Sequence, residues 1–104
     1  MESPNLNYIK ELSGGDLAFE ESILLVLKKE FPEEFTLFKN NFQAKNYQEA
    51  ANNVHKIKHK ISILGMTKSL KVASAFEKEL RNGKTKLNSN FLNILDKIHV
   101  YLGS

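Results

Sequence analysis

Four residues with chemical capability share one short run: His55, Lys58, His59 and Ser62. Spacings of three, four and seven stack side chains on one face of a helix, so the sequence places the other three beside His55. An imidazole with an unperturbed pKa of ~6.5 is largely neutral near pH 7, and its free ring nitrogen is a good nucleophile. Attack on phosphorus would give a phosphoramidate, a high-energy link able to hand its group onward. Lys58, one turn away, can meet phosphoryl oxygens as a point charge, and the Ser62 hydroxyl can add a donor. The chain carries no nucleotide-binding glycine-rich loop and no acidic metal cluster. Whatever His55 does, a partner must bring the reactive group.

A long helix is expected to carry these residues, from Tyr47 to Leu64, with Asn46 as its N-cap and Gly65 as its stop. At about 100° per residue, Ala50, Val54, Ile57, Ile61 and Leu64 gather on one side and must face a core. His55 lies well over a quarter turn from the middle of that stripe. It falls near the centre of a polar stripe with Ala51, Lys58, His59 and Ser62, so its ring should stand exposed in mid-helix.

Helical spacing governs the rest of the chain. Asn5 to Leu12 reads as a short first helix ended by Ser13-Gly14-Gly15, and Asp16 stands where the next N-cap belongs. Leu17, Ile23, Leu24, Leu27 and Phe31 then recur at helical intervals. Pro32 either kinks this helix or opens a new one, and Phe35, Leu37, Phe38 and Phe42 continue the pattern to about Ala44. After Gly65, Thr67 can cap a helix with Leu70, Val72, Ala73, Phe76 and Leu80 inward, closed by Asn82-Gly83. Asn88 or Ser89 can cap a last helix presenting Phe91, Leu92, Leu95, Ile98, Tyr101 and Leu102. Short connections favour antiparallel neighbours. The expected fold is all-α, an antiparallel up-down four-helix bundle with a short extra N-terminal helix, formed as a single domain over residues 1–104.

Composition narrows the function classes. A hydrophobic content of 41% can fill one core and a charged content of 26% can cover it. With no cysteine, disulfides and thiolate chemistry drop out. No apolar run approaches the ~18 residues of a membrane span, and the first residues lack the basic-then-apolar order of a secretory signal; a cytoplasmic monomer is expected. The formal net charge of +3 is too small to indicate a nucleic-acid partner. Its distribution says more. No acid occurs between Glu49 and Glu77, yet that stretch holds Lys56, Lys58, Lys60, Lys68 and Lys71, so one side should present positive potential to a partner.

The run His55-Lys56-Ile57-Lys58-His59-Lys60-Ile61-Ser62-Ile63-Leu64-Gly65 resembles the motif of histidine-containing phosphotransfer (HPt) domains. In that family the phosphorylated histidine is followed by an apolar residue at +2, lysine at +3 and glycine at +4 and +10; His55, Ile57, Lys58 and Gly65 match. The resemblance extends through Leu70 and Phe76-Glu77, and to the opening helix and turn, Leu6 to Asp16. It implies a phosphocarrier rather than an enzyme. His55 would take a phosphoryl group from the aspartate of a response-regulator receiver domain, which also belongs to hybrid sensor histidine kinases, and pass it to a second receiver. No cofactor of its own is implied; a divalent cation, Mg2+ by expectation, would come with the receiver. Lys56, Lys58 and Lys60 would complement the acidic receiver pocket, with Leu17 and Ile23 as candidate apolar contacts. One position departs from the pattern. The glycine at +4 is His59, which could narrow partner choice, slow transfer or hold the phosphoryl group.

Three rival readings have weaker support. The i, i+4 pair His55/His59 could hold zinc or nickel, but the sequence places no acid or cysteine beside it and its lysines repel cations, so no metal site is expected. The lysine-rich stretch lacks the interleaved aromatics and arginines of a nucleic-acid surface. A module that binds a receiver without transfer would keep the fold while leaving His55 idle.

Overall fold

The computed structural model describes residues 2–103. Met1 and Ser104, the outermost residues of the expected single domain, lie outside the described residues. The described chain is all-helical: α1 (Asn7–Ser13), α2 (Leu17–Gln43), α3 (Tyr47–Ile63), α4 (Thr67–Arg81) and α5 (Asn88–Leu102). No strand occurs among the described residues. Helix α1 packs on α2; α2 packs on α3, α3 on α4 and α4 on α5, and α5 returns to α2. Four long helices thus close a ring around one core.

Aromatic rings fill that core. Phe38 of α2, Phe76 of α4 and Phe91 of α5 meet at centroid separations of 5.1 to 5.9 Å, in the tilted and edge-on arrangements that ring quadrupoles favour. All three are buried, as are Ile57 and Ile61 of α3. Phe76 matters for the site because the next residue, Glu77, is carried to the edge of α3 by the same anchoring.

The helix ends show what local sequence misses. Asp16 caps α2 as expected, accepting from the Phe19 N–H. Pro32 opens no new helix, since α2 runs continuously through it. Helix α1 begins two residues later than expected, because Asn5 serves as its entry: its Oδ1 accepts from the Asn7 N–H, and its own N–H bonds the Leu64 carbonyl. Asn46 makes no side-chain cap, nor does Thr67, which is already the first residue of α4. The free N–H groups of α4 are met from across the chain: Glu2 accepts from the Lys68 and Ser69 N–H groups at 3.0 and 2.7 Å. Likewise neither Asn88 nor Ser89 caps α5; Leu87 holds the cap position, and its N–H donates to Glu79.

Gly65 does more than stop α3. Its φ of +72° is left-handed, and an added Cβ would fall 2.6 to 2.9 Å from the Asn5 side chain. The turn and the N-terminal segment therefore share this position. Some expected core residues face outward: Leu17, Leu37 and Tyr101 are exposed, while Leu70, Val72 and Leu92 are half-buried. Conversely Ile9 and Met66, absent from the expected core, are fully buried. Ala51, expected on the polar stripe of α3, is also buried, since a helix flanked by both α2 and α4 hides more than a single stripe.

Candidate functional site

The site is built on the middle of α3 and the second half of α4. The buried positions Val54, Ile57 and Ile61 fix the rotation of α3. That rotation turns His55 outward, with 55% of its side chain exposed. Lys56, His59 and Ser62 are exposed as well, and Lys58 is half-buried.

A residue from α4 completes the arrangement. Glu77 Oε1 lies 3.3 Å from His55 Nδ1 and 3.0 Å from Lys58 Nζ. Its other oxygen, Oε2, accepts from Arg81 Nη2 at 2.9 Å, and Arg81 also reaches Asn52 of α3. Partial burial pushes the Glu77 carboxyl up, but hydrogen bonds from Lys58, Arg81 and His55 outweigh that and hold it at about 2. At neutral pH Glu77 is therefore an anion, which only accepts. The His55 nitrogen facing it must carry the proton. In the neutral ring Nε2 then keeps its lone pair, on a side chain that is more than half exposed.

This geometry prepares a nucleophile that need not lose a proton. When Nε2 forms a bond to an electrophile, the ring becomes cationic, and the carboxylate at Nδ1 compensates that charge. The ammonium of Lys58, expected from its i+3 place to meet phosphoryl oxygens, is held by Glu77 beside the imidazole. Glu77 enters the sequence reading through the Phe76-Glu77 resemblance and as the end of an acid-free stretch, not as a site residue. Its sequence signal is its place as the first acid after a long lysine-rich gap.

The structure corrects two electrostatic expectations. Lys60 is not part of an outward lysine face. It is 7% exposed and donates to Glu30 at 3.0 Å and Glu34 at 3.1 Å on α2, because its stem lies on the side of α3 turned toward α2. The statement that no acid adjoins the two histidines also fails, since Glu77 touches His55. Even so, no group of three metal-ligating side chains occurs among the described residues.

His59 and Ser62 sit on the face of α3 that carries His55. The His59 ring lies edge-on to the His55 ring, with centroids 5.6 Å apart. It also lines a groove of about 320 Å³ with Leu12, Ile23, Val26 and Ile63. Ile23 thus contributes to an apolar surface beside the site, and Leu17 is 72% exposed nearby in sequence. The Ser62 side chain makes no hydrogen bond among the described residues; its carbonyl accepts from the Gly65 N–H at 3.0 Å. His99 of α5 is half-buried, its ring edge-on to that of Phe35 of α2. No helix is long and apolar enough to cross a membrane among the described residues.

A model of the Hpt domain family matches residues 22–101. The match takes in α2 from Ser22 onward, α3, α4 and nearly all of α5, and leaves α1 outside. No curated protein and no solved structure matches the chain significantly.

Proposed function

Because the chain belongs to the Hpt domain family, whose members act in phosphotransfer of two-component signalling, we propose that it is a phosphorelay intermediate carrying the phosphoryl group on His55. A receiver's phospho-aspartate donates the group, and a second receiver's aspartate takes it. The observation that carries this reading is the Glu77–His55 contact of 3.3 Å, which leaves the Nε2 lone pair of the neutral ring free on an outward-facing side chain.

The step balances without an acid or base. Nε2 attacks phosphorus in line with the acyl-phosphate bond. The Nε2–P bond forms, the P–O bond breaks, and its electron pair stays on the aspartate carboxylate. The His55 ring keeps its Nδ1 proton and becomes cationic beside Glu77. Onward transfer reverses these changes on another aspartate. Lys58 holds Glu77 against the ring and adds positive potential for the phosphoryl oxygens. The cation that balances the acyl phosphate, Mg2+ by this reading, belongs to the receiver, and the carrier itself has no turnover.

The four long helices serve this role as an antiparallel up-down bundle that presents α3 to a cytoplasmic receiver. Docking uses the apolar groove of Leu12, Ile23, Val26 and Ile63 beside His59, with Lys56 as the outward cation near the site. Such an encounter is transient and modest in area.

Incubation with a phosphorylated receiver tests the reading. A carrier acquires an acid-labile, base-stable phosphate that is absent from His55→Ala. Stable receiver binding with no label on His55, across a full set of receivers, would make the chain a binding module instead.

A further inference from the structure

The two polar neighbours of His55 divide its surroundings. Lys58, at i+3, turns toward α4 and is held by Glu77 at 3.0 Å. His59, at i+4, turns the other way, toward the groove with Ile23 and Ile63. Among the described residues its ring has no hydrogen-bond partner; its one ring neighbour is His55, edge-on at 72° and 5.6 Å between centroids. The cation on one side of the site is therefore engaged, while a potential donor on the other side is not.

We propose that His59 is a second ligand of the phosphoryl group carried on His55, with a ring N–H donating to one phosphoryl oxygen. This rests on the carrier reading above. With ring centroids 5.6 Å apart, an oxygen carried on His55 Nε2 comes within reach of His59, which meets it at the ~2.8 Å of a charge-assisted hydrogen bond. Local charge favours an oxyanion there over a metal ion. On the α4 side the three cations Lys56, Lys58 and Arg81 outnumber the two acids Glu49 and Glu77. On the groove side, Glu30 and Glu34 are already engaged by Lys60.

The consequence is a longer-lived phosphohistidine. Loss of the group proceeds through a loose transition state. The electron pair of the Nε2–P bond returns to Nε2, water or a carboxylate oxygen bonds to phosphorus, and negative charge drains from the three phosphoryl oxygens as the bond opens. A donor to one of those oxygens stabilises the phosphorylated ground state more than this transition state. His59 thus slows hydrolysis and restrains onward transfer.

The test labels the chain with potassium phosphoramidate, without any receiver, and follows the phosphohistidine by phosphorus NMR in wild type, His59→Ala and His59→Gln. Because His59 is exposed, both variants should fold, which far-UV circular dichroism checks. The expected lifetime is about threefold or more shorter in His59→Ala, and intermediate in His59→Gln, which retains an N–H donor. Onward transfer to a receiver proceeds at a higher rate in His59→Ala. The ring nitrogens of His59 shift on phosphorylation of wild type. Lifetimes of wild type and His59→Ala within a factor of two overturn the proposal. Absence of label on His55 in every variant sinks the carrier reading and this proposal together, whereas label with equal lifetimes removes only the role of His59.

Discussion

Glu77, on α4, places a carboxylate oxygen 3.3 Å from the Nδ1 of His55, on α3. The contact joins residues 22 positions apart and, in the carrier role proposed above, selects the ring nitrogen that reacts. A surface histidine is commonplace. One whose tautomer is selected by an anion from the neighbouring helix is an oriented nucleophile.

The first consequence concerns Glu77 itself. Glu77→Gln keeps the shape but removes the negative charge that selects the Nδ1–H tautomer and balances the cationic ring. Phosphoryl acceptance should fall about tenfold, the effect of roughly 1.4 kcal/mol on a barrier. Nitrogen NMR should show the His55 ring distributed between tautomers. Unchanged rates and an unchanged tautomer would remove Glu77 from the site.

Lys58→Ala should also slow acceptance, by about three- to tenfold, comparable to losing part of a charge-assisted contact. The fold should remain intact, because Lys58 is half-buried at the edge of the core. Thermal unfolding and labelling rates separate the two effects: a normal melting temperature with slow labelling is expected.

The depressed Glu77 pKa links stability to pH. Its folded value of about 2 lies below the ordinary 4.5, so the unfolded chain binds the proton first as acid is added. The stabilisation is present above about pH 4.5 and is lost as pH falls through 2. Linkage sets an upper bound of ~3 kcal/mol on this contribution. Chemical denaturation between pH 5 and 2 should show a steeper decline in wild type than in Glu77→Gln. Glu2, whose carboxyl is pushed up by burial but lowered further by the Lys68 and Ser69 N–H groups, acts in the same direction.

Lys60→Ala should destabilise the fold by about 2 kcal/mol, since it strands the Glu34 carboxylate at a partly buried position. Lys60→Met should recover only the part of the loss that comes from the stem's packing, since it leaves Glu34 unpaired as well. Neither change should alter the labelling rate of His55 by phosphoramidate. A large labelling defect in a well-folded Lys60→Met would return this lysine to the site.

Gly65→Ala should cost about 1–2 kcal/mol, from the left-handed backbone and the clash with Asn5. Denaturant titration measures it. A neutral substitution would show that the N-terminal segment yields at no cost.

Much of this molecule could be read along the chain. The stripe of Ala50, Val54, Ile57 and Ile61 specified a helix with His55 off its buried side, because 3.6-residue periodicity converts spacing directly into facing. Glycines and Asp16 marked helix ends through local backbone chemistry. Relations set by docking could not be read that way. Lys58 and Lys60 are two residues apart on one helix, yet α4 supplies an acid to the first and α2 supplies two to the second. A wheel gives a direction, not the neighbour waiting there. The caps expected of Asn46 and Thr67 failed for a related reason: α4 takes its carboxylate from Glu2, 66 residues from Lys68. The helices and the outward histidine follow from contacts within a few residues and are legible along the chain. The tautomer of His55 and the inward turn of Lys60 arise from the packing of separate helices, which brings their charges together.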